Sequence, residues 1–143
     1  MRIPLFPIIA VLITTALLGC NHGAPSGPGA TPEATVQAML AAVQAGDALA
    51  LASLYDYSES AKAQNPDWND IPKGQQDLIL KKEAERNADT LKPSLDKWKT
   101  ALAGASVGTA QVTGDSATVT VGSATLTLVQ RDAKWYLSGG VAQ

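Results

Sequence analysis

The chain has 143 residues, 45% of them hydrophobic and 17% charged, with 11 basic against 13 acidic side chains and a formal net charge of −2. That length is one domain's worth, and no basic tract offers a footing for nucleic acid or anionic headgroups. A single cysteine excludes a disulfide framework within the chain.

Arg2 is followed by an almost uninterrupted apolar run from Ile3 to Leu18. The run is shorter than the about 20 residues a membrane span needs, and it carries Pro4 and Pro7. A basic start, an apolar middle and small residues at the end describe a secretory signal. Leu17-Leu18-Gly19-Cys20 resembles the lipobox of bacterial lipoproteins. The resemblance implies cleavage between Gly19 and Cys20, loss of residues 1–19, and a Cys20 carrying diacylglycerol and an N-linked acyl chain such as palmitate. The competing reading is an ordinary signal peptide with a chance cysteine. Leucines three and two places before the Cys favour the lipoprotein. Two or more acyl chains anchor stably. Asn21 follows, where an aspartate would signal inner-membrane retention, so the implied location is the outer membrane, facing the periplasm. An acylated Cys20 leaves no thiol for redox or nucleophilic chemistry.

Removing 19 of the 143 residues leaves 124, and losing Arg2 leaves 10 of the 11 basic side chains. Six aromatics remain, namely Tyr55, Tyr57, Trp68, Trp98, Trp135 and Tyr136, so Leu, Val and Ala must supply most of the core. Residues 20–30 read as the lipidated cysteine and a flexible Gly/Pro/Ser-rich tether, ten residues of which span about 17 Å. His22 lies in it as a solvated residue with no second metal ligand near it.

Thr31-Pro32-Glu33 opens a helix, with Thr31 as cap, Pro32 in the first turn and Glu33 at the positive end of the dipole. Val36, Leu40 and Val43 share a face, and Gly46 closes the helix in a left-handed conformation. Asp47 then caps a second, short helix with Leu51, Leu54 and Tyr55 inward, which gives a helical hairpin. Residues 56–74 read as loop. Asn65, Asp67 and Asn69 alternate like calcium ligands, but Asp70 stands where that loop needs glycine and Gln76 where it needs a bidentate glutamate. An Asx-rich turn with Trp68 folded back is the preferred reading, and no metal or cofactor is expected.

From Gln75 to Ala103 the period is helical, with Leu80, Ala84, Ala88, Leu91, Leu95, Trp98 and Leu102 on one seam. The opposite face is charged, and Asp77 is spaced to pair with Lys81. Pro93 predicts a kink, or a new helix starting near it. A core-facing helix is preferred over a coiled coil. Beyond Gly104 the period becomes two, which predicts strands at 106–113, 116–121, 124–130 and 134–138. Gly114-Asp115, Gly122-Ser123 and Arg131-Asp132-Ala133 supply the turns. One face is apolar and meets the helices; the other is threonine-rich. The fold class is therefore α+β, a helical hairpin and a long kinked helix on a four-stranded antiparallel sheet.

Pro32-Glu33-Ala34 with Val36 and Leu40, Ala45-Gly46-Asp47, Leu54-Tyr55, Gly114-Asp115-Ser116-Ala117-Thr118-Val119 and Lys134-Trp135-Tyr136-Leu137 carry a further resemblance. Residues 31–143 resemble the nuclear-transport-factor-two-like superfamily, the fold of ketosteroid isomerase and SnoaL-type cyclases, and look closest to its uncharacterised lipoproteins. The resemblance implies a curved, cone-like sheet wrapped on helices and often enclosing a pocket. The chain departs from it in showing no clear strand before the long helix. Isomerases of this fold need a carboxylate base with a Tyr and a neutral Asp in an apolar pocket. Here the strands carry almost no titratable group and the domain has no histidine, so no Ser/His/Asp set can form. No phosphate-binding glycine loop appears. Tyr55 and Asp56 are the remaining catalytic candidates, read against a core tyrosine and a surface acid. The expected function is non-enzymatic binding of a small apolar ligand or an envelope protein partner. Tyr55, Tyr57, Trp68, Trp98 and Trp135 are the candidate pocket lining, and the alternative is a small hydrolase or isomerase using Tyr55 and Asp56.

Overall fold

The computed structural model describes residues 27–138. The signal segment, the cleavage pair Gly19 and Cys20, and His22 lie outside the described residues. Four helices, α1 (Pro32–Ala45), α2 (Ala48–Ala52), α3 (Ser58–Gln64) and α4 (Lys73–Ala101), precede four strands, β1 (Gln111–Thr113), β2 (Ser116–Val121), β3 (Ala124–Arg131) and β4 (Lys134–Leu137). The strands form one open antiparallel meander in the order β1-β2-β3-β4.

The helix ends follow their capping residues. The Thr31 hydroxyl accepts from the Ala34 N–H at 3.2 Å, and Pro32 needs no partner for a missing N–H. Gly46 closes α1 at φ 69°, and the Asp47 carboxylate takes the Ala50 N–H at 2.9 Å to start α2. Strand alternation sets the two faces of the sheet. Ala117, Val119, Val121, Leu126, Leu128, Trp135 and Leu137 are buried in one core with Val36, Met39 and Val43 of α1 and Leu51 of α2. On the outer face Thr118 stands opposite Thr127, and Thr120 opposite Thr125, all exposed. The two-residue turn between β3 and β4 puts Asp132 at φ 48° and Ala133 at φ 60°, a left-handed pair that matches the twist of the strands.

The outer edge of β4 is clothed by the N-terminal half of the chain. The Trp135 N–H donates to the Gly29 carbonyl (2.9 Å), and the Trp135 carbonyl accepts from the Thr35 hydroxyl (2.7 Å). Leu137 gives its N–H to Leu54 (2.7 Å) and takes that of Asp56 (3.0 Å), a parallel bridge with residue 55 at its centre. These bonds leave no open row of donors and acceptors on this edge to recruit another chain.

Several expectations are corrected. The tether does not reach residue 30. Gly29 is already part of the fold, bonded to Trp135 and to the Thr35 hydroxyl (2.9 Å), and a Cβ there would stand 2.7 Å from that of Ala34. Residues 56–74 are not loop throughout, since α3 and a 3-10 turn at Trp68–Asp70 lie within them. α3 has only Ala61 buried, so it shows no apolar period; Ser58 N–H donating to Asp56 (2.9 Å) and Lys62 pairing with Glu59 (3.1 Å) support it instead. The Asn65 amide donates to the Ala61 carbonyl (2.8 Å), so this residue of the calcium-like pattern closes α3. α4 starts at Lys73 and continues through Pro93 as one element of 29 residues. No new helix starts at the proline, which sits on the exposed side where the unpaired carbonyl meets water. Asp77 faces Lys73 (3.9 Å), one turn earlier, rather than Lys81.

The strand expected at 106–113 is interrupted. Val107 bridges to Val121 and the Gly108 N–H reaches the Thr120 carbonyl at 2.8 Å, but regular pairing resumes only at Gln111. Between them the Ala110 N–H leaves the ladder and donates to the Glu33 carboxylate at 2.8 Å. That bond is the main reason the Glu33 carboxyl is held below its usual range.

Candidate functional site

The segment Tyr55–Ser58 leaves α2, pairs with β4 and turns into α3. It lies across α4 and bounds two grooves. One, of ≈ 240 Å³, is lined by Tyr55, Tyr57, Asn87, Thr90, Leu91 and Trp98. The other, of ≈ 250 Å³, lies on the far side of the same two tyrosines and includes Asp56, Asp77, Leu80, Lys81 and Tyr136 in its lining. Tyr55 and Tyr57 are thus the shared wall. α4 contributes Asn87, Leu91 one helical turn on, and Trp98 two turns beyond that.

Three of the five candidate pocket residues, Tyr55, Tyr57 and Trp98, are therefore brought together. The other two are placed elsewhere. Trp135 is 5% exposed and packed into the main core. Trp68 is buried outside that core, below the N-terminal end of α4, where Gln76 donates to the Trp68 and Ile71 carbonyls at 2.9 Å each. Neither lines either groove. The sequence offered no way to divide the five, because only the tertiary packing decides which aromatics are covered, whether they sit on an apolar face, as Trp98 and Trp135 do, or in the stretch read as loop, as Tyr57 and Trp68 do.

Asp56 is not a surface acid. Its side chain is 8% exposed, one oxygen accepts from both the backbone and the hydroxyl of Ser58, and the other faces Arg131 Nε at 3.4 Å. Both oxygens are occupied in joining α3 to the end of β3. A carboxylate tied in this way is a poor general base, since its lone pairs would have to be released before it could take a proton. Tyr57 donates its hydroxyl to the Ala52 carbonyl at 3.0 Å. A second buried acid, Glu83 on α4, is paired with Arg86 at 3.1 Å. It falls beside the seam between Leu80 and Ala84, where the period reads as a solvated face; an offset of about 100° from Ala84 was enough to hide it.

The phenols report this environment. Burial pushes the Tyr57 hydroxyl up to about 12, helped by the neighbouring Tyr55 and Glu83. Burial likewise raises Tyr55, and raises Tyr136, where Asp132, Asp56 and Asp77 add to it. These are all the tyrosines the chain has. A native-state absorbance titration is therefore expected to show each phenolate at higher pH than in the urea-unfolded chain, which titrates at about 10, with Tyr57 at about 12. The sign follows from linkage. A raised folded value means stability is intact below the unfolded value and falls as pH rises through the interval, so the protein should lose stability between about pH 10 and 12. A phenolate step near pH 10 in the native protein would contradict the burial described.

No family model, no curated protein and no solved structure matches the chain. Among the described residues no three His, Cys, Asp or Glu side chains gather as a metal site, and no helix is long and apolar enough to cross a membrane.

Proposed function

We propose that this chain is a bacterial envelope lipoprotein, held by an acylated Cys20 at the outer membrane, whose domain binds a small apolar ligand without catalysing a reaction on it. The observation that carries the binding half is the convergence of Tyr55, Tyr57, Leu91 and Trp98 on one open groove. Apolar sites lined by aromatics with a few polar groups, here Asn87 and Thr90, are the usual form of a small-molecule site. The isomerase or hydrolase alternative has less support, because Asp56 is engaged by Arg131 and Ser58 instead of facing a substrate. Kinship with the nuclear-transport-factor-two-like superfamily belongs to the same proposal. A capped helical pair packed on an antiparallel meander supports it, and the cone-like curvature goes with it.

The location rests on Leu17-Leu18-Gly19-Cys20. The binding half is tested by thermal unfolding of the mature protein with a panel of envelope fatty acids and phospholipid fragments. A ligand at a hundredfold excess over its Kd stabilises by about 2.7 kcal/mol, which raises Tm by roughly 10 °C for a domain of this size. The shift is expected in the parent and absent in Trp98→Ala. A panel that leaves Tm unmoved, or a shift that survives Trp98→Ala, would remove the groove as the site.

A further inference from the structure

We infer that the outward face of α2, centred on Leu49, is the surface this protein lays against the lipid bilayer. The inference rests on acylation of Cys20. α2 has the sequence Ala48-Leu49-Ala50-Leu51-Ala52, apolar all round. Leu51 and Ala52 are fully buried and Ala48 nearly so, which satisfies the core. Leu49 points the other way and is 46% exposed, one of three large apolar side chains so placed among the described residues. It is a ridge between two concavities. One, ≈ 540 Å³, separates the α1–α2 corner from α4; the other, ≈ 260 Å³, is lined by Leu49, Ala50, Ser53, Asp47 and Gly27.

Gly27 in that second lining identifies the occupant. Gly27, the first described residue, lies beside Leu49, and residues 21–26 separate it from the acylated cysteine. Seven steps from Cys20 to Gly27 reach at most about 25 Å. A domain of 112 residues has a radius of gyration of about 13 Å. The anchor therefore keeps α2 closer to the headgroups, on average, than the opposite side of the domain. Tethering raises the effective concentration of the bilayer at α2, so that a contact too weak to bind a free protein becomes populated. The charges nearby select the lipid. Asp47, Glu85 and Asp89 outnumber Lys92 around the larger concavity, so the face suits a zwitterionic surface and is repelled by an anionic one.

The anchor makes the test clean. Cys20 is the only cysteine, so once it is acylated, Leu49→Cys carries the only thiol and takes a single environment-sensitive fluorophore. Leu78→Cys on α4 and Val112→Cys on β1, at the other two exposed apolar positions, are the comparisons. Leu78 lies ten residues before Ala88, about 15 Å along α4 from the corner that α2 packs against. The purified lipidated proteins are placed in phosphatidylcholine vesicles containing spin-labelled lipid. Flotation of the vesicles and the mass of the N-terminal peptide report acylation separately. The expected result is a blue shift and strong quenching at position 49, with water-like emission at 78 and 112. Added anionic lipid should reduce the shift. Floating, acylated protein with position 49 as wet as position 78 overturns the orientation and leaves the anchor standing. Protein that does not float and has no acyl chain on Cys20 overturns both.

Discussion

A Thr35→Val protein is expected to be less stable by about 2–4 kcal/mol, and to melt roughly 7–15 °C lower, although the substitution keeps the shape of the side chain. Thr35 is fully buried. Its hydroxyl donates to the Trp135 carbonyl at 2.7 Å and accepts from the Gly29 N–H at 2.9 Å. Valine would leave the Trp135 carbonyl buried without that partner, at a cost of about 1–3 kcal/mol, and the half-buried Gly29 N–H without its acceptor, at a smaller one. Domains of this size have only about 5–15 kcal/mol to lose. The loss has a location as well as a size. Thr35 is where α1, the entering chain and the free edge of β4 meet, so hydrogen exchange should accelerate first at Trp135 and its neighbours. Urea unfolding of the two proteins measures the difference; a change below about 0.5 kcal/mol would mean the hydroxyl is not holding the edge.

The second large effect is on location. Cys20→Ser, secreted behind an ordinary cleavable signal so that residues 1–19 are absent, is expected to move the protein from the detergent phase to the aqueous phase on temperature-induced partition. Each acyl methylene buried contributes about 0.8 kcal/mol, and a chain lacking all of them has no other feature of comparable strength among those described. The same variant should unfold at the parent's midpoint, because the first bonds of the fold are made by Gly29 and Thr31. Membrane retention of Cys20→Ser would contradict the anchor, and a large shift in its midpoint would contradict a fold that begins at Gly29.

Much of the fold was legible because its signals are local. Thr31, Gly46 and Asp47 name the helix ends by chemistry that acts within four residues. The alternation from Ser116 to Val121 fixes both the strand and its buried face. The missed elements depend on partners far along the chain. The helix Ser58–Gln64 buries one alanine and leans on Asp56, which itself needs Arg131; a heavier weight on the Ser-Glu-Ser-Ala-Lys-Ala run as helix formers was the available signal. The strand expected from Ser106 breaks because a glutamate more than seventy residues earlier takes the Ala110 N–H. The groove was half legible. Its residues were named, but whether an aromatic lines a hollow or fills a core is a property of what packs against it, as Trp98 and Trp135 show.

The location of the protein and the orientation of α2 both depend on the state of one atom, the sulfur of Cys20. Mass spectrometry of the N-terminal peptide, taken from protein purified out of the membrane fraction, reads that state directly. The expected peptide begins at Cys20, with diacylglycerol in thioether linkage and a further acyl chain on its α-amine. A peptide with a free thiol at Cys20, or one still preceded by Gly19, would contradict the anchor.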